Sequence, residues 1–312
     1  MILCLAANPS VDKLFEVERL AVGEIHRPLG FVQTAGGKGL NVARAASSLG
    51  ADVELVALLR GHTGRWLKEQ LDAEGVRART VWTHGENRSS ISVSDRETSS
   101  LTEFYEHGSE VPVASWVDVR QAVGEALPGA RWLTISGSMP LGAPEDGYRD
   151  VVAEARATGV AVALDAEGER LRLALEAQPD VVKVNAVEAS ELLGVPTARG
   201  DEAAAAASKL RELAGGDGHA GIVTRGADGV VVVAPSGDRL EGMLYVRGRY
   251  PVGSGDAFLA GLVVALDRGE DWPEALRLAL AAAAANAELP GAGRLDPARA
   301  GTLAAQATVR IL

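Results

Sequence analysis

A chain of 312 residues, 47% of them hydrophobic, can build one large α/β domain or two smaller ones. Its net charge of −11 argues against a general nucleic-acid or anionic-membrane surface, which would need a basic patch. The lone cysteine, Cys4, cannot form an intrachain disulfide, and the N-terminal apolar run lacks a basic flank, so a cytoplasmic protein is expected. In chain order, "MILCLAA" at 1–7 reads as a strand, and 10–34 alternates polar and apolar residues without helical period. A helical pattern follows at 39–50, a strand at 52–59 and a helix at 64–75. Residues 88–107 alternate again, as in "RSSISVSD". From 131 onward strands and helices take turns: "RWLTIS", a helix at 145–159, "GVAVALD", a helix at 168–178, "DVVKVN", "AGIVTRG" and "GVVVVA". After 256 the chain reads as nearly all helix.

Strands alternating with helices predict a mostly parallel central sheet covered by helices on both faces. The segments at about 10–34 and 88–107 predict a small antiparallel sheet beside it, a lid or a dimer face, within one domain spanning 1–312. Ligands in such sheets bind at the carboxyl ends of the strands.

Several stretches carry chemistry. In "PVGSGDAFLAGL", Gly253, Ser254 and Gly255 put nearly bare backbone at a helix start, where unpaired N–H groups attract anions. Asp256 follows, either beside a phosphate held by that turn or as an N-cap. "AGGKGLNVARAASSLG" opens a helix through Gly36, Gly37, Lys38, Gly39 and Asn41; its spacing is not that of a P-loop, and Lys38 and Asn41 suit hydroxyls or anions. Lysine is scarce, five against 26 arginines, so a lysine inside a glycine motif stands out. Asp12 in "NPSVD" can accept hydrogen bonds from two vicinal hydroxyls or can simply occupy a turn. Asn185 and Glu188 in "KVNAVE" have the spacing of a capping box at a helix start. Thr224, Gly226 and Gly229 mark a tight turn that could be only a hairpin.

Taken together and in this order, "NPSVD", "AGGKGLNVARAASSLG", "KVNAVE" and "PVGSGDAFLAG" resemble the ribokinase-like, or PfkB, carbohydrate kinases over essentially the whole chain. The branch resembled is the one that phosphorylates sugar phosphates. The resemblance implies ATP and Mg²⁺, with Asp256 as general base and the 253–255 turn as an anion hole for the transferred phosphoryl. It implies a sugar held by Asp12, Gly36, Gly37, Lys38, Gly39 and Asn41, with weaker support for Ser138 in "SGSMP". Arg88 and Arg27 are implied to bind the phosphate already on the sugar, for which a guanidinium fork is suited. The nucleotide would meet Lys183, Asn185, Thr224, Gly226, Gly229 and Asn286, with Asn185 and Glu188 orienting metal-bound waters. Val184 stands where the family commonly has proline. Tyr105 and His107 in "TEFYEHG" depart from the pattern of fructose-phosphate kinases.

The activity implied is transfer from ATP to a ketohexose phosphate, fructose 1-phosphate first, with no nucleic-acid or membrane partner. Tagatose 6-phosphate, fructose 6-phosphate, a free sugar or a nucleoside are the alternatives within the fold; a non-catalytic sugar or nucleotide sensor is the alternative outside catalysis. A homodimer through the lid is also implied, since an exposed sheet needs its face covered.

Overall fold

The computed structural model describes residues 1–312 other than Ala198 and Arg247. The first half runs β1 (Ile2–Ala6), β2 (Ser10–Val17), β3 (Gly30–Gly36), α1 (Lys38–Ser48), β4 (Val53–Arg60), α2 (Gly61–Ala73), β5 (Ala78–Thr83), β6 (Arg88–Asp95), β7 (Leu101–Tyr105) and α3 (Val113–Ala126). It continues through β8 (Trp132–Ser136), α4 (Gly147–Ala157), β9 (Ala161–Asp165), α5 (Gly168–Leu175), β10 (Val181–Asn185), α6 (Ala186–Leu193), α7 (Gly200–Leu213), β11 (Ala220–Thr224), β12 (Val230–Val233) and β13 (Arg239–Met243). The last elements are α8 (Ser254–Asp267), α9 (Trp272–Ala287), α10 (Pro297–Ala304) and β14 (Thr308–Ile311).

Ten strands form the main sheet in the order β14-β13-β12-β11-β10-β9-β8-β1-β4-β5. Pairing is parallel from β11 to β5 and antiparallel among β11, β12, β13 and β14. Alternation along each strand divides the core in two. Ile2, Cys4 and Ala6 of β1 join Leu55, Ala57 and Leu59 of β4 under α1, α2, α8, α9 and α10. Leu3, Leu5, Val56 and Leu58 face the other way, onto α3, α4, α5 and α7. Burial pushes the Cys4 thiol up to about 12, which keeps it neutral and unreactive.

The two alternating segments do form a separate four-stranded sheet, β3-β2-β6-β7. Its edge pairs are antiparallel, but the central pair, β2 with β6, is parallel. That refines the expected all-antiparallel lid: β2 and β6 each leave the main sheet in the same sense, after β1 and β5. The tail after residue 256 is not all helix, because β14 returns to extend the sheet beyond β13. The strand β14 alternates polar and apolar residues over only four positions, and it is the ladder to β13 that defines it. Among the described residues, no helix is long and apolar enough to cross a membrane.

Candidate active site

The carboxyl ends of β1, β8, β9, β10 and β11 open into one cleft of about 910 Å³, roofed by the small sheet. Single-ligand pockets run to roughly 1,000 Å³, so this cleft has room for a large ligand. Asp12, Gly37, Lys38, Gly39, Asn41, Arg88, Ser138, Lys183, Asn185, Glu188, Thr224, Gly226 and the turn from Gly253 to Asp256 all line it. These residues are drawn from along the chain, from position 12 to position 256.

The turn before α8 has the geometry of an anion site. Gly253 takes a left-handed φ of 81°, and a Cβ there would lie 2.7 Å from Gly293 N, so only glycine fits. Ser254 N–H is used by the Pro251 carbonyl at 3.1 Å. The N–H groups of Gly255 and Asp256 meet no protein acceptor among the described residues. They are the two donors the helix start leaves for a ligand. A Cβ on Gly255 would meet Lys183 Nζ at 3.1 Å, so an ammonium stands beside them.

Asp256 is 5% exposed, and its side chain makes no capping bond at the helix start. It instead accepts a hydrogen bond from Asn41 Nδ2 at 2.8 Å. Burial, reinforced by the negative charge of Asp165, pushes its carboxyl up to about 7. The Asn41 amide is held from behind: Arg44 donates to Asn41 Oδ1 at 3.2 Å, to Ala292 O at 2.9 Å and to Ala35 O at 2.6 Å, and pairs with Glu74 at 2.8 Å. Arg44 cannot accept, so Asn41 must turn its donor toward Asp256.

Asp165, at the carboxyl end of β9, is fully buried and was not among the residues expected at the site. It takes Lys183 at 2.5 Å and Lys38 at 3.1 Å. Burial alone would raise its carboxyl; the two ammonium groups overcome that and hold it below the usual range. Lys38, in turn, is raised above an ordinary lysine chiefly by Asp165, and also pairs with Glu188 at 3.3 Å. Lys38 thus gives two of its three donors to carboxylates while lining the cleft. Asn185 and Glu188 do form a reciprocal capping box at 2.8 and 2.9 Å, which fixes the Glu188 carboxylate on the cleft wall.

On the lid side, Ser10 Oγ donates to Asp12 at 2.5 Å, and burial raises the Asp12 carboxyl. Gly36 stands behind it: a Cβ there would overlap Asp12 Oδ2 at 1.9 Å, so this glycine makes room for the carboxylate and does not itself line the cleft. Arg88 donates to Asn8 O and to Ser90 Oγ, both at 3.2 Å, with no carboxylate within the 4.0 Å of an ion pair among the described residues.

Besides Gly36, three expected residues fall elsewhere. Arg27 is exposed in the connection between β2 and β3, off the cleft wall, because the strands end at Val17 and resume at Gly30. Gly229 packs on β13, where a Cβ would meet Gly242 O at 2.3 Å; it closes the β11–β12 hairpin and does not line the cleft. Asn286 is 0% exposed and donates to Val252 O at 2.9 Å and Ser254 Oγ at 3.3 Å. It props the anion turn from beneath, since α9 packs along α8.

A buried carboxylate at an anion-binding helix start in a lidded cleft suits phosphoryl transfer to a hydroxyl, and a match to a family model makes the chain an ATP-dependent sugar kinase. The family model for pfkB carbohydrate kinases matches residues 6–299, and the chain belongs to that family. Phosphofructokinase-2 from Escherichia coli, solved with potassium, matches at TM-score 0.89 and 24% identity over 97% of this chain and 98% of its own. A Thermotoga maritima protein described as a possible 1-phosphofructokinase matches at 0.89 and 24% over 100% and 99%. Arabidopsis thaliana ribokinase, solved with ribose and ATP, matches at 0.75 and 21% over 97% and 98%.

Proposed function

We propose that this kinase phosphorylates a ketohexose phosphate, fructose 1-phosphate to fructose 1,6-bisphosphate in the first instance. The observation that carries the reading is Arg88: a half-buried arginine on the acceptor wall whose charge has no ion-pair partner. A phosphate already on the sugar would complete it. Similarity to proteins described as phosphofructokinases supports the same acceptor class.

Asp12 accepts hydrogen bonds from sugar hydroxyls, and Gly37 and Asn41 bound the sugar from the α1 side. Asp256 takes the proton of the attacking hydroxyl, and the free N–H groups of Gly255 and Asp256 stabilise charge on the transferring phosphoryl. Lys183 adds positive charge beside that turn. ATP supplies the phosphoryl group, and its accompanying Mg²⁺ supplies charge neutralisation. Asn185 and Glu188 offer oxygen atoms suited to the waters such an ion retains.

Replacing Arg88 by alanine tests the acceptor. A charge-assisted bidentate contact contributes roughly 1.5–3 kcal/mol, so preference for the phosphorylated sugar over its free parent should drop about ten- to a hundredfold. KM for ATP should hold, and Arg88→Lys should recover part of the loss, since it keeps charge without the fork. Equal losses for both acceptors would mean that Arg88 only shapes the lid.

The nucleotide wall is tested at Gly226. Its φ is 59°, it lines the cleft, and a Cβ there would meet nothing within 4 Å. A valine would strain this left-handed turn and, at a position lining the cleft, would crowd a nucleotide bound against it. An expected rise of about tenfold in KM for ATP corresponds to about 1.4 kcal/mol; an unchanged KM in a folded variant would move the nucleotide elsewhere.

We also propose a homodimer through the lid. Phe15, Phe31, Ile91 and Phe104 share one face of the small sheet, with Phe31 52% and Phe104 60% exposed. Such a patch is costly in water. Phe104→Glu should halve the mass measured by light scattering; a wild-type protein already of monomer mass would refute the assembly.

A further inference from the structure

Arg60 ends β4 and is fully buried. Its Nη1 donates to Ser109 O at 2.5 Å and its Nη2 to Asn8 Oδ1 at 3.0 Å, while Nε meets no acceptor. No carboxylate lies within 4.0 Å of it among the described residues. Its neighbour in charge is another cation, Arg88, whose Nε donates to the carbonyl of the same Asn8. The loop over both is held tight by Gly108, where a Cβ would lie 3.2 Å from Arg88 Cβ and 3.8 Å from Arg60 Nη2.

Two guanidinium groups thus converge on one asparagine with no counter-ion between them. Removing a cation from water is unfavourable unless an anion compensates, and an apolar side chain of similar volume would fill the space at less cost. Asp12 attracts Arg88 from a distance but forms no ion pair with it. The arrangement also fixes the Asn8 amide. An arginine cannot accept, so Asn8 must present Oδ1 to Arg60 and turn Nδ2 toward Ser138 Oγ, 3.3 Å away on the cleft wall.

We propose that Arg60 is a positioning residue for the acceptor's phosphate: it fixes the Asn8 amide donor on Ser138 of the cleft wall and backs Arg88 with a second positive charge, selecting an acceptor that arrives as a phosphate monoester. The inference rests on the sugar-phosphate reading above and extends it to a side chain that never touches the ligand.

The test compares Arg60→Gln, which keeps a donor for Asn8 or Ser109 without charge, with Arg60→Lys, which keeps the charge. Calorimetric titrations use fructose 1-phosphate, fructose and inorganic phosphate, alongside KM for ATP. The glutamine variant should bind fructose 1-phosphate and inorganic phosphate about tenfold more weakly, with ATP KM and any affinity for fructose unchanged. The lysine variant should stay within about threefold of the parent protein. A merely structural role would weaken all ligands together and would not separate glutamine from lysine. If fructose 1-phosphate binds the parent protein and ignores Arg60→Gln, the role of Arg60 is overturned while the acceptor reading stands. If inorganic phosphate binds in an Arg60-dependent way but no sugar phosphate does, the role of Arg60 stands and the acceptor reading falls. Phosphate affinity untouched by either substitution overturns the inference outright.

Discussion

Asp256→Asn is expected to lower kcat by about two to four orders of magnitude while leaving KM for ATP near its starting value. Asparagine has the same shape and can still accept from Asn41, so the fold should persist. It cannot take the proton of the acceptor hydroxyl. The pH dependence has a definite sign. Burial and Asp165 raise the Asp256 carboxyl to about 7, so the group is protonated below that pH and serves as a base above it. The kcat/KM of the parent enzyme should therefore climb as pH rises through about 7. The asparagine variant should lose that limb. A small fall in kcat with the limb intact would mean that another group takes the proton.

Asp165→Asn should cost roughly 3–5 kcal/mol of stability, measured by denaturant unfolding, because Lys183 and Lys38 lose the buried charge that binds them together. Its effect on pH dependence is opposite to that of general damage. Asp165 is one reason the Asp256 carboxyl is raised, so removing its charge should move the kcat/KM limb to lower pH. Lys38 would also be released from its strongest partner and left with Glu188. An unchanged stability, or a limb displaced upward, would contradict the coupling of the four groups.

The two glycine motifs were legible because they combine residue types with local consequences. Gly253 needs a left-handed φ and Gly37 likewise, with φ of 98°, and each opens a helix whose apolar pattern is visible in the sequence. The alternation in 10–34 and 88–107 revealed the lid, but alternation is blind to pairing sense, so the parallel β2–β6 pair was not visible. Asp165 could have been found from position alone, as a carboxylate at the carboxyl end of the core strand "GVAVALD". Arg44 and Arg60 could not. Both lie in stretches dense with apolar residues, and their meaning depends on partners distant in the chain, Asn41 and Ala292 for one and Asn8 and Ser109 for the other. Asn286 shows the reverse error: family position suggested a ligand contact, whereas packing of α9 on α8 turns it toward the turn it supports.

Release of ADP, coupled to a chromogenic reporter, with fructose 1-phosphate, fructose 6-phosphate, tagatose 6-phosphate, fructose and ribose as acceptors tests the account most directly. The expected result is a kcat/KM for fructose 1-phosphate above that for fructose by about ten- to a hundredfold, the contribution of one charge-assisted phosphate contact. Turnover of fructose or ribose equal to or faster than that of every sugar phosphate would contradict it.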